Sequence, residues 1–180
     1  MNNRFCRQPW SFVEVHQNGD IWNCCPSWIT KPMGNILKQS WEEVWNGNIA
    51  QEYRQSMIDS TFKNCIETNC PHLLSKTLTK ESPVFEKDDL NLLWKKLKVK
   101  DNSGPLVVNF CYDGSCNLSC PSCRTELQMC SPKSDDYNNI EKIHDIVINE
   151  IIKDAYRLYI TGTGDPFASP FFRNFLQTFD

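Results

Sequence analysis

Ten cysteines in 180 residues fall into two groups, one spanning Cys6 to Cys70 and one spanning Cys111 to Cys130, with none between them. A chain so rich in thiols must oxidise them, load them with metal or keep them reduced, and each choice restricts the fold differently. The opening stretch MNNRFCRQPW has no apolar run of the kind a secretory signal needs, so a reducing, cytoplasmic compartment is expected. In such a compartment clustered thiols serve more often as metal ligands or redox groups than as disulfide staples.

The segments around the cysteines predict an α/β organisation with three parts. Residues 1–78 read as a small cysteine-rich α+β domain, residues 79–104 as a helical connector, and residues 105–180 as a strand–helix–strand unit. In the first part, Phe12, Val13, Val15, Ile21 and Trp22 flank the turn signal Asn18-Gly19-Asp20, which predicts a hairpin ending at Cys24-Cys25. Downstream, Ser40 and Glu43 have the spacing of a capping box, and Trp41, Trp45, Ile49, Tyr53 and Met57 recur every four residues, which predicts one amphipathic helix with an aromatic core face. In the connector, Leu90, Leu93, Trp94 and Leu97 share one helical face opposite a run of lysines. In the last part PLVVNF reads as a buried strand, Ile140, Ile143, Val147 and Ile151 mark a helix, and RLYIT reads as a second strand. A right-handed crossover then makes the two strands parallel, so the loops that follow them lie at one edge of the sheet. A net charge of −3 with dispersed lysines gives no nucleic-acid footprint, and no apolar run approaches the roughly 20 residues that cross a bilayer.

Cys116, Cys120 and Cys123 form a C-x3-C-x2-C motif directly after the first of these strands. Three thiolates leave a site incomplete, because closed zinc sites and fully protein-held [4Fe–4S] clusters take four ligands. A cluster held by three keeps one iron open to a further ligand. Cys111, at a buried strand end, reads as a small core residue, and Cys130 receives no assignment. The second strand runs into TGTGDPF, where Gly162 and Gly164 would let backbone approach a ligand and Asp165 could accept hydrogen bonds from an ammonium group. His16, His72 and His144 are scattered and form no visible grouping.

The CNLSCPSC motif, with Thr163-Gly164-Asp165-Pro166 after the following strand, resembles the radical S-adenosylmethionine enzymes, whose glycine-rich motif is Gly-Gly-Glu-Pro. The resemblance implies that Cys116, Cys120 and Cys123 hold a [4Fe–4S] cluster whose open iron chelates S-adenosylmethionine. It also implies that Gly162, Thr163, Gly164 and Asp165 line the methionine end of that cofactor, and that Ser122, where the family usually has an aromatic residue, stands near the adenine. Reduction by an external electron donor would cleave the cofactor to a 5′-deoxyadenosyl radical that abstracts hydrogen from substrate. The family's partial (β/α) barrel has several more strand–helix units than residues 105–180 supply, so these residues read as its N-terminal part. Phe171, Phe172, Phe175 and Phe179 would then await a partner surface from later units.

The first cysteine group carries a second resemblance. Cys6, Gly19 and Cys24 in C-x12-G-x4-C, with Cys65 and Cys70 in CIETNC, resemble part of a SPASM auxiliary-cluster domain, with Cys25 an alternative to Cys24. Four thiolates from separated segments suit a closed iron–sulfur cluster or a closed zinc site equally well. The SPASM resemblance implies a second [4Fe–4S] cluster and favours a peptide or protein substrate. Two other readings fit the cysteines alone: a non-catalytic zinc-binding module and an iron–sulfur electron carrier.

Overall fold

The computed structural model describes residues 4–78, 103–160 and 162–179. The helix expected over Leu90–Leu97 lies outside them. A short helix α1 (Gln8–Ser11) leads into strand β1 (Phe12–His16), which turns back through Gly19 into β2 (Asp20–Trp22). Gly19 sits at φ +84°, the left-handed region that a hairpin turn of this kind demands, and Asn35 in the short strand β3 (Gly34–Asn35) ties the turn to its neighbour by donating to the Asn18 carbonyl.

The single helix expected after Ser40 is two helices, α2 (Trp41–Trp45) and α3 (Asn48–Ile58). The capping box forms as the Ser40/Glu43 spacing predicts, with the Glu43 carboxylate accepting from the Ser40 N–H at 2.8 Å. The break comes at Gly47, which is extended at φ −69° and ψ 172°, and a Cβ there would stand 2.2 Å from the Glu43 carbonyl oxygen. Only a glycine allows the chain to start again so close to the turn it leaves.

Arg54 locks the two helices and α1 together. Fully buried, it donates from Nε to the Pro9 carbonyl and from Nη1 to Asn46, both at 3.0 Å, and its guanidinium lies 4.4 Å from the Trp45 ring centroid. Arg54→Met keeps most of the volume and removes a buried charge, yet leaves both acceptors without this donor. The expected loss is about 1–2 kcal/mol, read as a lower urea midpoint at unchanged slope.

Helix α4 (Pro71–Leu74) closes the first cysteine group. Strand β4 (Val107–Cys111) follows, then α5 (Tyr137–Ile146), which continues through a π-helical turn (Val147–Ile151) and a 3-10 turn (Ile152–Asp154) into β5 (Arg157–Tyr159) and α6 (Pro170–Thr178). The sheet order is β3-β2-β1-β4-β5, with β4 parallel to β5 as the crossover predicts. β4 is also parallel to β1, so one sheet runs through both cysteine-bearing regions.

Alternation along β1 and β4 turns Val13, Val15, Val108 and Phe110 into one core, where Ile140, Ile143, Val147 and Ile151 of the expected helical face are all fully buried. Phe172 and Phe175 join this core, packing on Phe110 at centroid distances of 5.7 and 5.8 Å. They find within the chain the partner surface they were expected to lack. Phe179 remains exposed, its ring against Phe175.

Candidate metal centres

The first cysteine group converges because the chain doubles back after α3. Ser60 and Phe62 adopt left-handed conformations at φ 55° and 51°, and the turn they make sends the chain past Trp28. There the Ile66 N–H donates to the Trp28 carbonyl and Ile29 bridges Cys65. Cys6, Cys24, Cys65 and Cys70 then line one open cavity, whose remaining walls are mostly apolar side chains including Trp28, Met57, Phe62 and Leu73. Every pairing of these four thiolates enters their mutual repulsion. Burial first, and then the neighbouring thiolates, pushes the Cys6 thiol up to about 11 and Cys65 to about 12, and drives Cys24 still higher. A cation bound among the four would reverse both costs. Cys25 takes no part in this cavity wall, and its carbonyl accepts from the Trp28 N–H at 2.9 Å.

The spacing of the four sulfurs bears on what they could hold. A single tetrahedral zinc with Zn–S bonds near 2.3 Å holds its sulfurs about 3.8 Å apart. Among the described residues, no three of the four thiols approach one another within 4.8 Å. That spacing suits a multi-iron cluster, which binds thiolates at separate corners, better than one ion.

The second group occupies the loop after β4. Cys116 is buried and its N–H donates to the Gln128 carbonyl at 2.7 Å, while Cys120 and Cys123 are exposed on a turn in which the Cys120 carbonyl accepts from the N–H groups of Cys123 and Arg124. Arg124 is held from Nη1 by the Gly114 carbonyl at 2.8 Å and reaches the Cys123 sulfur at 3.6 Å from Nη2. That hydrogen bond, together with the thiolates of Cys116, Cys123 and Cys120, raises the Arg124 guanidinium above its usual range. Ser122 is exposed on the same turn.

TGTGDPF seats directly against this loop. The Asp165 N–H donates to the Ser115 carbonyl at 2.7 Å, and Thr163 reaches the Asp113 carbonyl at 3.4 Å. The glycines serve this close fit: a Cβ on Gly162 would fall 1.9 Å from the Cys111 sulfur, and one on Gly164 2.5 Å from the Ser115 carbonyl oxygen. The space on the Cβ side of both glycines is thus filled by the chain itself, which lets the turn close directly on the cysteine loop. Asp165 Oδ1 accepts from the Phe167 N–H at 2.9 Å.

A buried carboxylate that sequence reasoning missed holds the assembly together. Asp113, 1% exposed, accepts from the N–H and hydroxyl of Ser115 on Oδ1 and from the Ser169 hydroxyl on Oδ2. Ser115 in turn accepts from the Cys130 N–H, and Ser169 caps α6 by accepting from the Phe172 N–H. Asp113 follows β4 in a stretch read only for its cysteines, and Ser169 has a helix-cap signal but none for its second role. Cys130 lies beside this hub, its thiol pushed up to about 12 by burial and by Asp113 and Asp136.

Residues 6–71 match the family model of the SPASM iron–sulfur cluster-binding domain. The SPASM match spans all four cavity thiols and the hairpin, and domains of this family typically carry auxiliary iron–sulfur clusters in radical S-adenosylmethionine enzymes. No curated protein and no solved structure matches the chain. No described helix is long and apolar enough to cross a membrane.

Proposed function

We propose that this chain belongs to a radical S-adenosylmethionine enzyme acting on a peptide or protein, with an auxiliary [4Fe–4S] cluster on Cys6, Cys24, Cys65 and Cys70 and a cofactor-binding [4Fe–4S] cluster on Cys116, Cys120 and Cys123. The observation that carries this reading is the convergence of the first four thiols on one apolar cavity inside the SPASM-matching region. The three-cysteine loop, at the same edge of the shared sheet as TGTGDPF, supports the second site. An electron from an external donor would let the second cluster cleave S-adenosylmethionine and so supply a hydrogen-abstracting radical. The residues of the chain would meanwhile orient and shield. Arg124 would offset the charge of three thiolates, Asp113 would fix the loop against the glycine turn, and Asp165 would face the methionine ammonium with the oxygen not used by Phe167.

Anaerobic reconstitution tests the reading. The expected result is about eight irons per chain, as two four-iron clusters require, and a change in the spectrum of the reduced protein on adding S-adenosylmethionine. Cys120→Ala should remove about half the iron and the whole response. Asp165→Asn, which keeps the acceptor for the Phe167 N–H, should retain the iron and weaken cofactor binding about ten- to a hundredfold, the worth of a charge-assisted hydrogen bond. Full iron loading with no cofactor response would leave an electron carrier in place of the enzyme.

A further inference from the structure

One cluster of metal-binding side chains belongs to neither cysteine set. β1 and β4 pair in parallel with Glu14 opposite Asn109 and His16 opposite Cys111. Strand alternation puts all four side chains on the sheet face opposite the core formed by Val13, Val15, Val108 and Phe110. Ligand atoms of Glu14, His16 and Cys111 lie within 4.8 Å of one another, and no other group of three such residues does so among the described residues. We propose that Glu14, His16 and Cys111 form a site for a zinc-type divalent cation across the β1–β4 junction.

The donor set and its supports argue for this. Thiolate, imidazole and carboxylate together suit zinc, and three protein ligands leave a fourth position for water or another ligand. Asn109 Nδ2 donates to Glu14 Oε2 at 3.0 Å, which orients the carboxylate and leaves Oε1 toward His16 Nε2 at 2.7 Å. An outer partner of this kind characterises built metal sites. Bonds of 2.0–2.3 Å place zinc ligands about 3.3–3.8 Å apart, so the His16–Glu14 contact would open by roughly half an ångström and the wider separations would close. The side chains of His16 and Glu14 are 30% and 15% exposed, which gives an ion a route to the buried sulfur of Cys111. Gly162 packs directly on that sulfur from one side, where a Cβ would fall 1.9 Å from it, so the ion would have to enter from the side of His16 and Glu14.

Binding would form a sulfur–zinc bond as Cys111 releases its thiol proton to solvent. His16 would contribute an unprotonated Nε2 and Glu14 its carboxylate, and no electron would be transferred. Two ligands come from the region matching SPASM and one from β4, so the ion would fasten the two cysteine-bearing regions to each other.

Zinc titration of the anaerobically reconstituted full chain, followed by metal counting and X-ray absorption at the zinc edge, tests the site. The expected result is one zinc per chain at micromolar metal, with one sulfur and two or three nitrogen or oxygen neighbours. His16→Gln and Cys111→Ser should each lower zinc affinity by at least about a hundredfold, removing one zinc equivalent while iron content stays constant. The wild-type spectrum decides even if a variant folds poorly. A shell of four sulfurs, no binding at micromolar zinc, or an unchanged zinc count in both variants would overturn the proposal.

Discussion

Cys24→Ala is expected to halve the iron content of the reconstituted protein, while Cys25→Ala leaves it unchanged. The two residues are adjacent, but only Cys24 reaches the cavity shared by Cys6, Cys65 and Cys70. Removing one of four ligands leaves an iron corner that no other cysteine of the cavity wall can take up, so a site built for four thiolates should hold its cluster far less tightly. Because a bound cluster stabilises only the folded state, Cys24→Ala should also lower the thermal midpoint of the region by several kcal/mol equivalents of stability, in the manner of other structural metals. Iron per chain and a thermal melt under anaerobic conditions read both effects. The reverse pattern, with iron lost from Cys25→Ala alone, would move the ligand by one residue and turn β2's exit around.

Gly164→Ala carries the second large effect. Gly164 sits at φ +70°, where a side chain costs about 1–2 kcal/mol, and its Cβ would press on the Ser115 carbonyl oxygen at 2.5 Å and on the Gly114 carbonyl carbon at 2.8 Å. Both obstacles are backbone, which cannot rotate aside as a side chain can. Forcing the two segments apart adds roughly 1–3 kcal/mol. The total, about 4 kcal/mol, would be a large share of the 5–15 kcal/mol that holds a typical domain together. The turn should lift from the cysteine loop, breaking the hydrogen bond from Asp165 to Ser115. Urea denaturation measures the loss, and a variant within about 1 kcal/mol of wild type would show that the turn does not pack as described.

Much of this arrangement was legible in the chain because its signals are local. The hairpin at Asn18-Gly19-Asp20, the Ser40/Glu43 capping box and the buried stripe from Ile140 to Ile151 depend on residues a few positions apart, and the structure keeps all three. The SPASM-like spacing of Cys6, Gly19, Cys24, Cys65 and Cys70 was likewise readable, because a fixed spacing is carried by residue identities alone, although Cys6, Cys65 and Cys70 lie in loops and at helix ends rather than on strands. The break at Gly47 escaped because an apolar period of four passes through a glycine without changing, whereas the backbone contact with Glu43 does not. Longer-range pairings left no trace in the pattern. His16 looked solitary until the register of β1 on β4 set it beside Cys111, and Asp113 looked like a loop carboxylate until Ser169 closed on it. Phe172 and Phe175 show the same limit from the other side: an apolar helix face can be read from spacing, but the surface that covers it cannot.

The parallel pairing of β1 with β4 has a consequence for how the chain acquires its structure. Glu14 and Asn109, which share a hydrogen bond, stand 95 residues apart in sequence, and closing a flexible segment of that length costs about 4 kcal/mol of chain entropy before any contact offsets it. At synthesis rates of about 5–20 residues per second, β1 emerges roughly 5–20 seconds before its partner exists. During that interval its hydrogen-bonding edge toward β4 is open, carrying Val13 and Val15 beside it, and offers the kind of template on which strands of other chains add. The charged and polar Glu14 and His16 on the opposite face are then an asset of a different sort, since side chains that resist burial keep a nascent strand from stacking against its neighbours.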